Sequence, residues 1–150
     1  MDEPLTEPVG LQLTRTAKVV SRAFDTALGE AGGTLPMWLI LMSVKGRRHG
    51  AQRELAEAVG IEGPTLTHHL NRMETAGFVT RTRDPENRRV HRVELTAKGE
   101  ETFHRLLTAV VAFDGRLRDG LTDRDTARLG RLLTRLRANV GAAETLETTA

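Results

Sequence analysis

A small residue, a glycine and a leucine recur within residues 52–77 at a spacing that few local folds accommodate. Ala56 is followed four residues later by Gly60, and Leu66 comes six residues after that. Two helices crossing at a steep angle need a small side chain where they meet, and Ala56 supplies it. The tight turn between them needs a residue tolerant of positive φ, and Gly60 supplies that. Leu66 then anchors the second helix in the shared core. Pro64 suits that helix's first turn, and Gly77 its C-terminal end. The pattern predicts a helix-turn-helix.

At about 100° per residue, Leu66, Leu70 and Met73 cluster on one side of the second helix. Pro64, Thr67, His68, Asn71, Arg72 and Thr75 point away from them, with Thr65 at the edge of that outer face. The face carries hydroxyls, an imidazole, an amide and a guanidinium, with no acid before Glu74. Such a face suits a negatively charged major groove. Asn71 matches adenine in bidentate fashion, Arg72 matches guanine or phosphate, and Thr65 and Thr67 suit phosphate or a thymine methyl. His68 can donate to a phosphate or a base acceptor. Each residue alone is ordinary on a surface helix; the set points to DNA. His69 falls on the inner side, where a packed, hydrogen-bonded histidine is expected instead of a DNA contact.

Two β-prone runs follow, Phe78 to Arg83 and Arg88 to Leu95, joined by Asp84-Pro85-Glu86-Asn87. They predict a hairpin. Arg83, Arg88 and Arg89 near its tip make it a basic wing, and a narrow minor groove favours arginine. The plainer alternative is a charged hairpin that protects its own edges. Between Lys45 and Arg92 there are ten Lys/Arg against six Asp/Glu, while the rest of the chain has twelve against fourteen. The cationic middle is the footprint expected of phosphate binding, although a solvated basic surface fits the charge alone equally well.

Helical periodicity flanks this middle. Leu13, Ala17, Val20, Phe24 and Leu28 trace one face of a long first helix, ended by Gly32-Gly33. A short helix from about Pro36 to Lys45 holds the single Trp38. Phe103, Leu106, Leu107, Val110, Val111, Phe113 and Leu117 mark another long helix, with Thr96 as its N-cap. Leu129, Leu132, Leu133, Leu136 and Val140 mark the last, capped by Thr122 or Asp123. With four Phe, one Trp and no Tyr, the core must come from aliphatic side chains, which suits packed helices. The terminal stripes exceed what such a core absorbs, so a helical homodimer interface is their natural use, with an intramolecular bundle as the alternative. The fold class is mainly α with a small β-hairpin wing.

The chain resembles the MarR family of bacterial transcriptional regulators. The resemblance rests on Arg53-Glu54-Leu55-Ala56 with Gly60, on Pro64-Thr65-Leu66-Thr67 leading to Leu70, Arg72, Met73, Glu74 and Gly77, on the wing Asp84-Pro85-Glu86-Asn87-Arg88-Arg89, and on Leu95-Thr96-Ala97-Lys98-Gly99. It implies a homodimer with two winged helix-turn-helix lobes on a palindromic operator. It also implies a repressor, often of its own promoter, that a small ligand filling a cleft releases from DNA. Trp38, Phe24, Met42 and Phe113 can line such a cleft, but core packing fits each better. Two departures stand out. Asn87 replaces the family's usual wing Asp, so the loop bearing Arg89 is held by an amide without charge, and His69 replaces a usually apolar residue.

The expected organisation is a flexible tail at 1–7, an N-terminal dimerisation helix at 8–34, the DNA-binding region at 35–95, C-terminal dimerisation helices at 96–141 and a second tail at 142–150. The expected DNA contacts are Thr65, Thr67, His68, Asn71, Arg72, Arg83, Arg88 and Arg89. The absence of cysteine removes disulfides, thiolate metal sites and thiol redox sensing. The histidines show no ligand spacing, and no nucleophile–base pair or Gly-rich phosphate loop appears, so neither enzyme activity, a metal nor a cofactor is expected. The acidic start and the short apolar run Met37 to Met42 predict a soluble, cytoplasmic protein with no membrane partner. A winged-helix module that binds protein instead of DNA is the competing reading. The sequence names no operator or effector and leaves repression versus activation open.

Overall fold

The computed structural model describes residues 6–46, 50–87 and 89–147. The chain forms two compact units, Met1–Phe113 and Asp114–Ala150.

The first unit opens with α1, Val9–Glu30. Of its apolar stripe only Leu28 is buried; Val20 and Phe24 are half-buried and Leu13 is exposed. Arg105 Nε donates to the Ala31 carbonyl at 2.8 Å, satisfying an acceptor left open by the helix end. The chain then bends by 75° into α2, Leu35–Gly46. Thr34 caps α2 by accepting from the Met37 N–H, and Pro36 sits in its first turn as predicted. α2 is the central core helix, with Trp38, Ile40, Leu41 and Val44 buried. Trp38 stacks on Phe103 with ring centroids 5.6 Å apart, and Phe24 meets Phe113 at 5.0 Å. Trp38, Phe24 and Phe113 pack as expected, whereas Met42 is exposed. Met42 lies one position past Leu41, beyond the side of α2 that meets the core.

Strand β1, Gly50–Ala51, leads into α3, Gln52–Val59, and α4, Gly63–Thr75. The hairpin is β2, Val79–Arg83, with β3, His91–Leu95. Its register pairs Val79 with Leu95, Arg81 with Val93 and Arg83 with His91. β1 adds a third antiparallel strand, pairing Gly50 with Val93 and Ala51 with Arg92. Two residues carry no alternating pattern, so this strand was not predicted from sequence. The second wing strand also starts at His91, three positions later than read, because the Val90 N–H turns back to donate to the Asn87 carbonyl.

Helix α5, Ala97–Leu117, starts at Thr96, whose Oγ1 accepts from the Gly99 N–H at 3.0 Å. The cap is the one predicted. The core of this unit joins Leu28 and the α2 residues to Leu55, Leu66, Leu70, Met73, Val79, Val93, Phe103 and Leu106. Burying a leucine of this kind is worth about 2 kcal/mol. α4 is therefore seated by its inner face, and its polar face is left outward.

The second unit holds the end of α5 and α6, Asp123–Glu147. Thr122 Oγ1 accepts from the Asp125 N–H while Asp125 Oδ2 accepts from the Thr122 N–H, a reciprocal cap that holds the Asp125 carboxyl below its ordinary range. Leu129, Leu132, Leu133 and Val140 along α6 are all exposed within the chain. α6 continues to Glu147, into the segment expected as a tail. Ala142, Ala143, Glu144, Leu146 and Glu147 are good helix formers with no proline to stop them. Among the described residues no single helix is long and apolar enough to cross a membrane.

Candidate nucleic-acid interface

The turn between α3 and α4 has the predicted mechanics. Gly60 takes φ +75°, a left-handed conformation that the bend requires. Its N–H and that of Ile61 both donate to the Ala56 carbonyl. Ala56 is half-buried and packs on the core, as its place at a helix crossing demands. No side-chain oxygen caps α4, whose N-cap position is Glu62, so its first N–H groups remain open to an outside acceptor.

Leu66, Leu70 and Met73 are buried as read, and Thr65, His68, Asn71 and Arg72 are exposed. These four share the outer side of α4. Thr67 differs. It is half-buried, its hydroxyl donates to the Gly63 carbonyl at 3.0 Å, and it accepts from Gln52 Nε2 at 2.7 Å. Its only hydroxyl proton is thus committed inside the chain and ties α3 to α4. His69 is half-buried, edge-on to His68 with centroids 5.8 Å apart, but forms no hydrogen bond among the described residues. It sits at the border between the buried and exposed sides of α4, where its ring packs without a polar partner.

Asn71 carries a contact that sequence reasoning missed. Arg81 Nη2 donates to Asn71 Oδ1 at 2.5 Å, and the same guanidinium donates to both oxygens of Glu74. The Arg81 N–H adds a bond to Glu74 Oε2 at 3.1 Å. Hydrogen bonding from Arg81 holds the Glu74 carboxyl below the usual carboxylate range. The signal was present in the strand: alternation puts Arg81 on the face of buried Val79, where a cation needs a partner.

The wing turn is built on Asp84. Its Oδ1 accepts from the Glu86 N–H at 2.9 Å, and Oδ2 accepts from Arg92 Nη2 at 3.0 Å. These contacts, the Glu86 N–H first, keep its carboxyl below the ordinary aspartate value. Asn87 Oδ1 accepts from the Arg89 backbone N–H at 3.2 Å, so the amide does hold the loop, through the main chain. Arg81 and Arg92 are therefore engaged in ion pairs, whereas Arg83 and Arg89 are exposed and form none among the described residues. Arg88 lies outside the described residues. Arg89 and Thr67 line one groove of about 780 Å³ between α3, the turn and the wing. A second cavity, about 480 Å³, is lined by Pro36, Met37, Met73 and Phe78 with His69 and Arg72.

Residues 34–91 match the model of the MarR family. They form a MarR-family domain. Similar solved structures extend over most of the chain. The transcriptional repressor CouR, bound to a 23-mer DNA duplex, is 28% identical; the match covers 88% of this chain and 94% of that one, with a TM-score of 0.81. A MarR mutant from E. coli complexed with operator DNA is 23% identical over 87% of this chain and 94% of its own, with a TM-score of 0.78. The PcaV transcriptional regulator from Streptomyces coelicolor, in complex with its natural ligand, is 21% identical over 92% and 97%, also at 0.78. The chain thus has the mainly α, winged helix-turn-helix fold of these regulators.

Proposed function

We propose that this chain is a homodimeric, sequence-specific DNA-binding repressor whose α4 enters the major groove of a palindromic operator. The observation that carries the reading is the outward set Thr65, His68, Asn71 and Arg72 beside the exposed wing cations Arg83 and Arg89, which form no ion pair among the described residues. α4 supplies base-edge donors, and the wing supplies phosphate or minor-groove contacts. Arg88 belongs to the same proposed surface. Thr67 positions α4 through Gln52 instead of donating to DNA.

Exposed Val9, Leu11 and Val19 on α1, and Leu129 and Leu132 on α6, support a second copy as the cover for the terminal helices. Two copies related by a two-fold axis place two α4 helices on half-sites about one turn of DNA apart. Release by a small ligand fits the cavity beside α4, whose Met37, Met73 and Phe78 offer apolar surface and whose Arg72 belongs to the DNA-facing set. A ligand there competes with DNA for Arg72.

The test is a fluorescence anisotropy titration of the protein with a palindrome from its own upstream region and with random duplex. The expected result is nanomolar-range binding to the palindrome that weakens steeply with salt. Equal affinity for both duplexes contradicts the proposal.

A further inference from the structure

Arg81 reaches the DNA-facing side of α4 without belonging to it. Its side chain is only 18% exposed, its position in β2 lies opposite buried Val93, and its guanidinium bridges Glu74 and Asn71. A guanidinium has donors only, so the Asn71 atom facing it must be the carbonyl oxygen. The Asn71 amide nitrogen then takes the opposite side of the planar group.

We infer that Arg81 is a positioning residue for base selection, holding Asn71 so that it meets the duplex as a hydrogen-bond donor. This rests on the DNA-reading function proposed for α4. A bidentate adenine contact needs the carbonyl and the amide of Asn71 together. Here a cation already occupies the carbonyl, and its positive charge stands where adenine's amino group would have to approach. The free Nδ2 can reach N7 and O6 of guanine or O4 of thymine without setting a donor against the cation, whereas bonding N7 of adenine brings its amino group toward Arg81. Glu74 completes the device. It neutralises Arg81 and fixes it through three hydrogen bonds, one of them to the Arg81 main chain. The wing strand thereby sets the orientation of a side chain one turn along the recognition helix.

The experiment is selection from a randomised half-site library by the full chain, with wild type, Asn71→Ala, Glu74→Gln and the paired change Arg81→Met/Glu74→Gln. The paired change removes one positive and one negative charge, so general attraction to phosphate is preserved. Wild type is expected to prefer guanine or thymine over adenine at one position per half-site, and Asn71→Ala to lose that preference. Glu74→Gln leaves Arg81 its bond to Asn71 and one carboxamide acceptor, so it weakens that preference only in part. The paired variant shifts that position toward adenine by roughly fivefold, the worth of one hydrogen bond, at an unchanged salt slope. Selection of adenine by wild type at the Asn71-dependent position overturns the inference, even if the paired variant does not fold. So does a wild-type profile in a folded paired variant, or an equal shift in Glu74→Gln alone. If wild type enriches no sequence, the DNA-reading proposal itself falls and takes this inference with it.

Discussion

Gly99 lies so close to the main chain of Phe78 that a β-carbon at residue 99 would stand 2.0 Å from the Phe78 carbonyl oxygen. That carbonyl also accepts from the Thr96 N–H, while Thr96 Oγ1 donates to the Gly77 carbonyl. Lys98 donates to the Ala76 carbonyl at 2.7 Å and lies over the Phe78 ring. The run Leu95 to Gly99 therefore fixes the C-terminal end of α4 to the start of α5. Gly99→Ala is expected to cost about 3 kcal/mol, at the upper end of overpacking penalties, and to lower Tm by about 6–12 °C. Gly63→Ala, where a β-carbon meets nothing within 4 Å, is the control and is expected to leave Tm equal or higher. Calorimetry of both variants checks the pair.

The Gln52–Thr67 hydrogen bond makes α3 and α4 one mechanical unit. Gln52→Ala and Thr67→Val each remove it, so the double variant should lose less than the sum of the singles, with a coupling of about 1 kcal/mol. Urea denaturation of the four proteins measures this. Additive costs would show that the bond contributes nothing.

Asp84 makes the order of the wing depend on pH in a defined direction. Its folded carboxyl titrates below the ordinary aspartate value, chiefly because the Glu86 N–H bonds its charged form, with Arg92 adding to the effect. Its contribution is therefore complete above the ordinary value of about 4 and is lost as pH falls through the lowered folded value. Protection of the Glu86 amide from hydrogen exchange should fall over that acid window. In Asp84→Asn the acid-dependent part should vanish. A carboxyl titration of Asp84 at or above its ordinary value would contradict the wing geometry.

Among the described residues the wing arginines divide into two pairs, Arg81 and Arg92 with ion-pair partners and Arg83 and Arg89 without. Arg83→Ala and Arg89→Ala should each weaken binding to every duplex alike and reduce the salt slope by about one, as loss of a phosphate contact does. Arg92→Ala removes a cation already spent on Asp84, so its main effect should be on wing stability. Binding titrations at three salt concentrations separate these behaviours. An unchanged slope in Arg89→Ala removes that residue from the interface.

Leu132 on α6 is 51% exposed within the chain. Leu132→Glu should convert the proposed dimer to monomer in sedimentation equilibrium while leaving the helical circular dichroism of the monomer intact. A wild-type chain that sediments as a monomer at micromolar concentration would remove the proposed partner of the terminal helices.

The sequence made local features legible and left non-local ones hidden. Gly60 and Gly77 both take the positive φ expected of them, because a sharp turn leaves no alternative that a β-carbon tolerates. Leu66, Leu70 and Met73 were readable from a helical period, and the Thr96 cap from its place before an apolar run. Arg81 escaped because its partners, Asn71 and Glu74, are brought to it by the docking of β2 on α4, which no single-segment period records. Thr67 was misplaced for a related reason: its angle on the wheel is outward, but Gln52 of the preceding helix closes over it. β1 exists only through pairing with β3, and two residues hold too little pattern to announce that.

The most direct test of the central claim is selection from a fully random duplex pool by the purified chain. The expected result is enrichment of an inverted repeat whose half-sites are about ten base pairs apart, centre to centre. A pool that stays random after selection, or that converges on a single half-site without symmetry, contradicts it.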